Sequence, residues 1–109
     1  MKVARKPRLS EAEFLRMVLE LARLLGWRVA HFRPGRTLHG WRTPCSADAA
    51  GFPDLLLARG PVLLVAELKT SGHVTPEQRA WLEAFRAAGV PAYLWRPRDW
   101  ASIEDVLRG

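Results

Sequence analysis

The sequence predicts an α/β domain: a mixed four-stranded sheet with helices packed against it, in the order α-β-β-β-α-β-α. Three observations lead there. Apolar residues recur at helical spacing over 14–25 and again over 81–88, and short β-rich runs occupy 27–33, 55–58, 62–68 and 91–95. The second helix lies between the third and fourth strands, so those two should be parallel and joined by a right-handed crossover.

The first helix opens on Ser10 followed three residues later by Glu13, a capping box. Its stripe is Phe14, Met17, Val18, Leu21 and Leu25, and Gly26 ends it. Residues 27–33 alternate and read as a strand. From 34 to 53 the pattern breaks into Gly, Pro, Thr, Ser and Asp, which predicts a long irregular connection containing Arg36, Trp41 and Arg42. Two aliphatic runs separated by Arg59-Gly60-Pro61 form a hairpin of buried strands. Thr75-Pro76-Glu77-Gln78 starts the second helix, which turns Trp81, Leu82, Phe85 and Ala88 inward and stops at Gly89. A last strand runs over 91–95, and Asp99 is placed as the cap of a terminal helix reaching Leu107. Residues 1–9 form a basic arm and 10–109 one domain.

The chain has 109 residues, 49% hydrophobic and 26% charged, enough for one core and too short for two. A single cysteine excludes a disulfide scaffold and most structural zinc sites. No apolar run approaches the roughly 20 residues a membrane span needs. Met1-Lys2-Val3-Ala4-Arg5-Lys6 lacks an apolar signal core, so the expectation is a cytoplasmic protein without membrane contact. A net charge of +6, with Lys2, Arg5, Lys6 and Arg8 in the arm, favours a polyanionic partner such as nucleic acid.

Asp54, Glu67 and Lys69 stand out because the other positions of the hairpin are almost entirely aliphatic. In a strand Glu67 and Lys69 share a face while Leu68 points to the core. If the hairpin pairs about Arg59-Gly60-Pro61, Asp54 lies beside Glu67, and two carboxylates and an ammonium meet at one end of the sheet. Charges enter an apolar strand when paired, metal-bound or at its wet end. The grouping suits metal-assisted phosphodiester hydrolysis: Mg²⁺ takes hard oxygen ligands, here Asp54, Glu67 and the Leu68 carbonyl, and Lys69 positions the attacking water. The competing reading is a surface Glu-Lys pair with an Asp in a turn.

Gly51-Phe52-Pro53-Asp54, then Glu67-Leu68-Lys69, then Thr75-Pro76-Glu77-Gln78 with Trp81, resembles the VRR-NUC family of the PD-(D/E)xK nuclease superfamily. The resemblance runs from Ser10 through the last strand and includes the Leu25-Gly26-Trp27 helix exit. It is similar to small, free-standing phage and bacterial members that resemble Holliday-junction resolvases. It implies a restriction-endonuclease-like αβββαβ core followed here by a C-terminal helix, Mg²⁺ or Mn²⁺ dependence, DNA cleavage and often a homodimer. It also implies a bacterial or phage-infected cytoplasm. The family's metal-binding acids fall on Asp54 and Glu67, its catalytic lysine on Lys69 and its helix glutamine on Gln78, which lies on the inward side of the second helix.

One departure concerns the acid that the superfamily places on its first helix. By register from Gly26 it is expected where this chain has Leu15. Glu11, one turn earlier, shares the face of Leu15, Val18 and Ala22 and is the substitute metal ligand; Glu13 and Glu20 fall on the opposite, solvated face. The alternative for Glu11 is a dipole-favoured acid in the first helical turn. Nucleic-acid contacts are expected from Arg5, Lys6, Arg8, Arg33, Arg36, Trp41, Arg42 and His73, with Trp41 either stacking on an unpaired base or pinning its loop. His31 is placed on the active-site or DNA-facing side; His31, His39 and Cys45 lack zinc spacing, and Cys45 has no paired base. Trp95 and Trp100 are core or dimer-contact residues.

The function expected is a metal-dependent DNA endonuclease selective for branched DNA, since no helix presents base-reading side chains. The alternatives are a catalytically silent nucleic-acid-binding module on a nuclease scaffold and a sequence-specific restriction-type endonuclease.

Overall fold

The computed structural model describes residues 8–32, 35–37, 40–42 and 47–109. Helix α1 (Glu11–Leu24) begins as its capping box dictates, with Glu13 N donating to Ser10 Oγ and Ser10 N to Glu13 Oε1. Its core side is Phe14, Val18 and Ala22. Strand β1 (Arg28–His31) follows, then β2 (Gly35–Thr37), β3 (Gly40–Arg42), β4 (Leu55–Arg59) and β5 (Val62–Leu68). Helix α2 (Pro76–Ala87) leads into β6 (Ala92–Trp95), a one-turn 3-10 helix over Pro97–Asp99 and helix α3 (Trp100–Arg108).

The main sheet has the order β1-β4-β5-β6. Its first three strands are antiparallel neighbours, and β5 and β6 are parallel, the consequence of the α2 crossover. Residues of β5 alternate between two cores. Leu64 and Ala66 join the core under α1 and α3, whereas Val65 faces Leu82 of α2. Trp95 is buried in the first core, and Trp100, half-buried, packs against it. No helix among the described residues is long and apolar enough to cross a membrane.

Three local expectations differ from the structure, the first being Ala88, expected inward but exposed at the C-cap of α2. The stretch over 34–53 is not wholly irregular: β2 and β3 pair antiparallel as a separate ribbon. Three-residue strands that each open on Gly are too short for alternation to register. Asp99 does not cap α3 through its side chain. Its Oδ2 accepts from Arg96 N at 2.9 Å, closing the turn that Pro97 starts two residues earlier.

Arg59, at the hairpin end of β4, fastens the pole of the sheet away from the charged cluster. Its Nη1 donates to the carbonyls of Leu25 (3.0 Å) and Leu107 (2.9 Å), past the end of α1 and near the end of α3. The guanidinium also stacks 4.5 Å from the centroid of the Trp27 ring, whose Nε1 donates to the same Leu107 carbonyl. One cation therefore serves carbonyls at the ends of two helices. Arg59→Ala is expected to destabilise the fold by about 2 kcal/mol in urea unfolding, with Arg59→Lys recovering little because an ammonium lacks the planar fork.

Candidate active site

The register Leu55↔Ala66 sets Asp54, one residue before β4, beside Glu67, the penultimate residue of β5. The two are laced together. Asp54 N donates to Glu67 Oε1 at 3.2 Å, and Leu68 N donates to Asp54 Oδ2 at 2.8 Å. Gln78 Nε2 donates to Glu67 Oε2 at 2.9 Å, while Gln78 Oε1 accepts from Thr75 N in the α2 capping box. The motif that starts the helix thus also orients the acid. Lys69 N donates to Trp95 O at 3.0 Å, carrying the β5–β6 pairing one residue past β5. The Lys69 charge acts on both carboxyls.

The chain reaches Asp54 through a segment clamped to α2. A Cβ on Gly51 would lie 2.5 Å from Glu77 C and 2.6 Å from Gln78 N, and Gly51 has φ +82°, so only glycine permits this approach. Phe52 then enters edge-on contacts with Trp81 and Phe85, at centroid distances of 5.0 and 5.8 Å, and Trp81 Nε1 donates to Asp48 O at 2.8 Å. Pro53 is fully buried.

Glu67 is 3% exposed, the sole buried charged side chain among the described residues. Burial, reinforced by the neighbouring Asp54 charge, pushes its carboxyl up to about 8. Desolvation also raises Asp54, opposed by the Leu68 N–H, its contact with Glu67 and the charges of His31 and Lys69. The two carboxyls lie close enough that each shifts the other's proton affinity.

No sequence profile of a protein family matches the chain, and no curated protein matches it. A solved structure described as "VRR_NUC domain protein" superposes with a TM-score of 0.65 at 23% identity, covering 94% of this chain and 88% of that one. The fold is that of a VRR_NUC domain. It confirms the α/β architecture with a mixed four-stranded sheet.

Within this VRR_NUC fold a groove of about 1060 Å³ runs along α1 and opens onto Asp54, Leu68 and His31. His31 therefore sits on the site's side, as its strand position suggests. Glu11 lines the same groove, exposed in the first turn of α1. Among the described residues no group of three His, Cys, Asp or Glu side chains is placed to hold a metal, so Glu11 is not brought in with Asp54 and Glu67. Glu20, expected on the solvated face opposite, is exposed but lines the groove as well. The groove follows the flank of α1 rather than its core stripe, and so meets both edges of the helix. Arg8 and His73 are exposed. Arg5, Lys6, Arg33, His39 and Cys45 lie outside the described residues. Arg36, Trp41 and Arg42 fall in β2 and β3, where Arg36 pairs with Trp41.

The raised Glu67 carboxyl fixes the sign of a pH effect. In the unfolded chain it loses its proton near 4.5, whereas the folded protein holds it to about 8. The Glu67 contribution to stability is therefore full below 4.5 and is lost as pH rises through this window. Thermal melts without divalent cations should show a midpoint falling across that range, with a smaller fall in Glu67→Gln. A pH-independent difference between the two proteins would contradict the assignment.

Proposed function

We propose that the chain is a metal-dependent DNA endonuclease of the VRR-NUC type in the PD-(D/E)xK superfamily, acting on branched DNA and working as a homodimer. The convergence of Asp54, Glu67 and Lys69 at one end of the sheet carries this reading. The donor set fits a hard divalent cation. Two adjoining carboxyls, with the Leu68 carbonyl as a further candidate oxygen, offer Mg²⁺ the few protein oxygens it takes, leaving water and phosphate to complete its shell. Mn²⁺ is the natural substitute. When bound, the ion polarises the phosphate and acidifies a water.

The protein's own groups do the rest. Asp54 is fixed by Leu68 N–H, and Glu67 by Asp54 N–H and Gln78, so the carboxylates are aimed before substrate arrives. The Lys69 ammonium orients the attacking water and offsets charge that builds on the phosphate oxygens. Gln78 acts as a positioning residue through Glu67. Glu11, on the groove's other wall, contributes through water. The chain's +6 charge supports backbone contacts, which bind without reading sequence and so suit a substrate chosen by shape.

The test is cleavage of duplex, flap, splayed and four-way DNA with Mg²⁺, Mn²⁺ or chelator. Branched substrates should be cut only with metal. Asp54→Ala and Lys69→Ala should each lower the rate by on the order of 10²–10³-fold or more while the protein still folds and binds DNA. Full activity in either variant removes the assignment. Binding without any cutting favours a silent binding module, and discrete fragments from linear duplex favour a sequence-specific enzyme.

A further inference from the structure

Phe32 follows β1 directly, and its N–H donates to the Asp54 carbonyl at 2.8 Å, so its backbone is tied to that of the acid proposed to hold metal. Yet 44% of Phe32 is exposed, and it is the one aromatic among the large hydrophobic side chains exposed in the described residues. Its ring is not loose. It meets Phe52 edge-on at 5.3 Å and 82°, and Phe52 in turn rests on Trp81 and Phe85. The fold thus holds an aromatic ring in place at the mouth of the site while leaving much of it open to water.

Phe32 is one of the residues that line the groove opening onto Asp54, while its ring rests on Phe52 on the α2 side. The α1 wall of that groove sets Leu15 and Leu19 among Arg16 and Arg23, apolar surface for bases with guanidiniums for phosphates. Glu11 and Glu20 balance those arginines, so attraction of a polyanion comes from the net charge of the whole chain. The volume, about 1060 Å³, lies just above the roughly 300–1,000 Å³ range of ligand clefts.

We propose that Phe32 is a stacking platform for an unpaired nucleobase beside the scissile phosphate, with the α1 groove receiving the strand that carries it. This rests on the nuclease reading and names its substrate feature. A base inside a continuous duplex has both faces covered by its neighbours, whereas an unpaired base at a junction or flap has a face to give. Phe32 therefore selects DNA with unpaired nucleotides next to the cut without reading their identity.

The probe is a splayed-arm DNA with 2-aminopurine at the first unpaired position, bound in the presence of chelator so that no strand is cut, beside a matched duplex. The wild-type protein should quench the 2-aminopurine fluorescence and prefer the splayed DNA. Phe32→Ala should lose the quench and about tenfold in affinity for splayed DNA, with duplex affinity unchanged. Phe32→Leu, which keeps an apolar contact on Phe52, should behave like Phe32→Ala, and Phe32→Tyr like wild type. Unaltered quenching in Phe32→Ala and Phe32→Leu, or equal losses on both DNAs, overturns the proposal. A protein that quenches through Phe32 but cuts nothing with Mg²⁺ upholds the stacking role and overturns the nuclease reading. Cutting that is indifferent to Phe32 does the reverse.

Discussion

Placing Glu67 in the sheet beside Asp54 is unfavourable on two counts: one carboxyl leaves water and two like charges approach each other. An uncompensated buried charge costs several kcal/mol. Against this stand three hydrogen bonds aimed at the pair, from Asp54 N, Leu68 N and Gln78 Nε2. Bonds to charged groups contribute about 1.5–3 kcal/mol each, so the opposing terms are of similar size. What remains is settled by protonation: without a cation, Glu67 keeps its proton to about 8. The arrangement is stable enough to persist, and in the proposed function a divalent ion would take the place of that proton.

Much of the fold can be understood as holding that pair in register. The aliphatic β4–β5 hairpin fixes the spacing, since a slip of one residue would turn Glu67 to the other face. Helix α2 arrives with Gln78 already constrained by Thr75, and its first turn is where Gly51 permits the incoming segment to dock. Arg59 closes the far pole by linking the chain beyond α1 to the end of α3. Rigid elements on three sides of Asp54 and Glu67 suit a site that must be formed before its ligand arrives.

The helices were legible because their caps and stripes are local: Ser10 with Glu13, and Thr75 with Gln78, lie three residues apart. The hairpin was legible for the same reason, and it carried Asp54 to Glu67 by register alone. Contacts between distant segments were not. Nothing at Arg59 announces a bond to Leu107, 48 residues away, and nothing about Gly51 in isolation signals the backbone of Glu77. Periodicity also fails below about four residues, which hid β2 and β3, and it failed at Glu20 because a groove edge follows tertiary shape rather than a helical wheel. Phe32 looked like one more strand aromatic; its exposure exists only once β1 is seen to end beside Asp54.

The central claim is that Asp54 and Glu67 together form a seat for a divalent cation. Magnesium titration followed by thermal melting near pH 8, where Glu67 is poised to lose its proton, tests it without any substrate. A bound ion stabilises the folded state in proportion to the logarithm of its concentration above Kd. The wild-type midpoint should climb with Mg²⁺, and Asp54→Asn combined with Glu67→Gln should abolish the climb. An equal rise in the double variant would contradict the account.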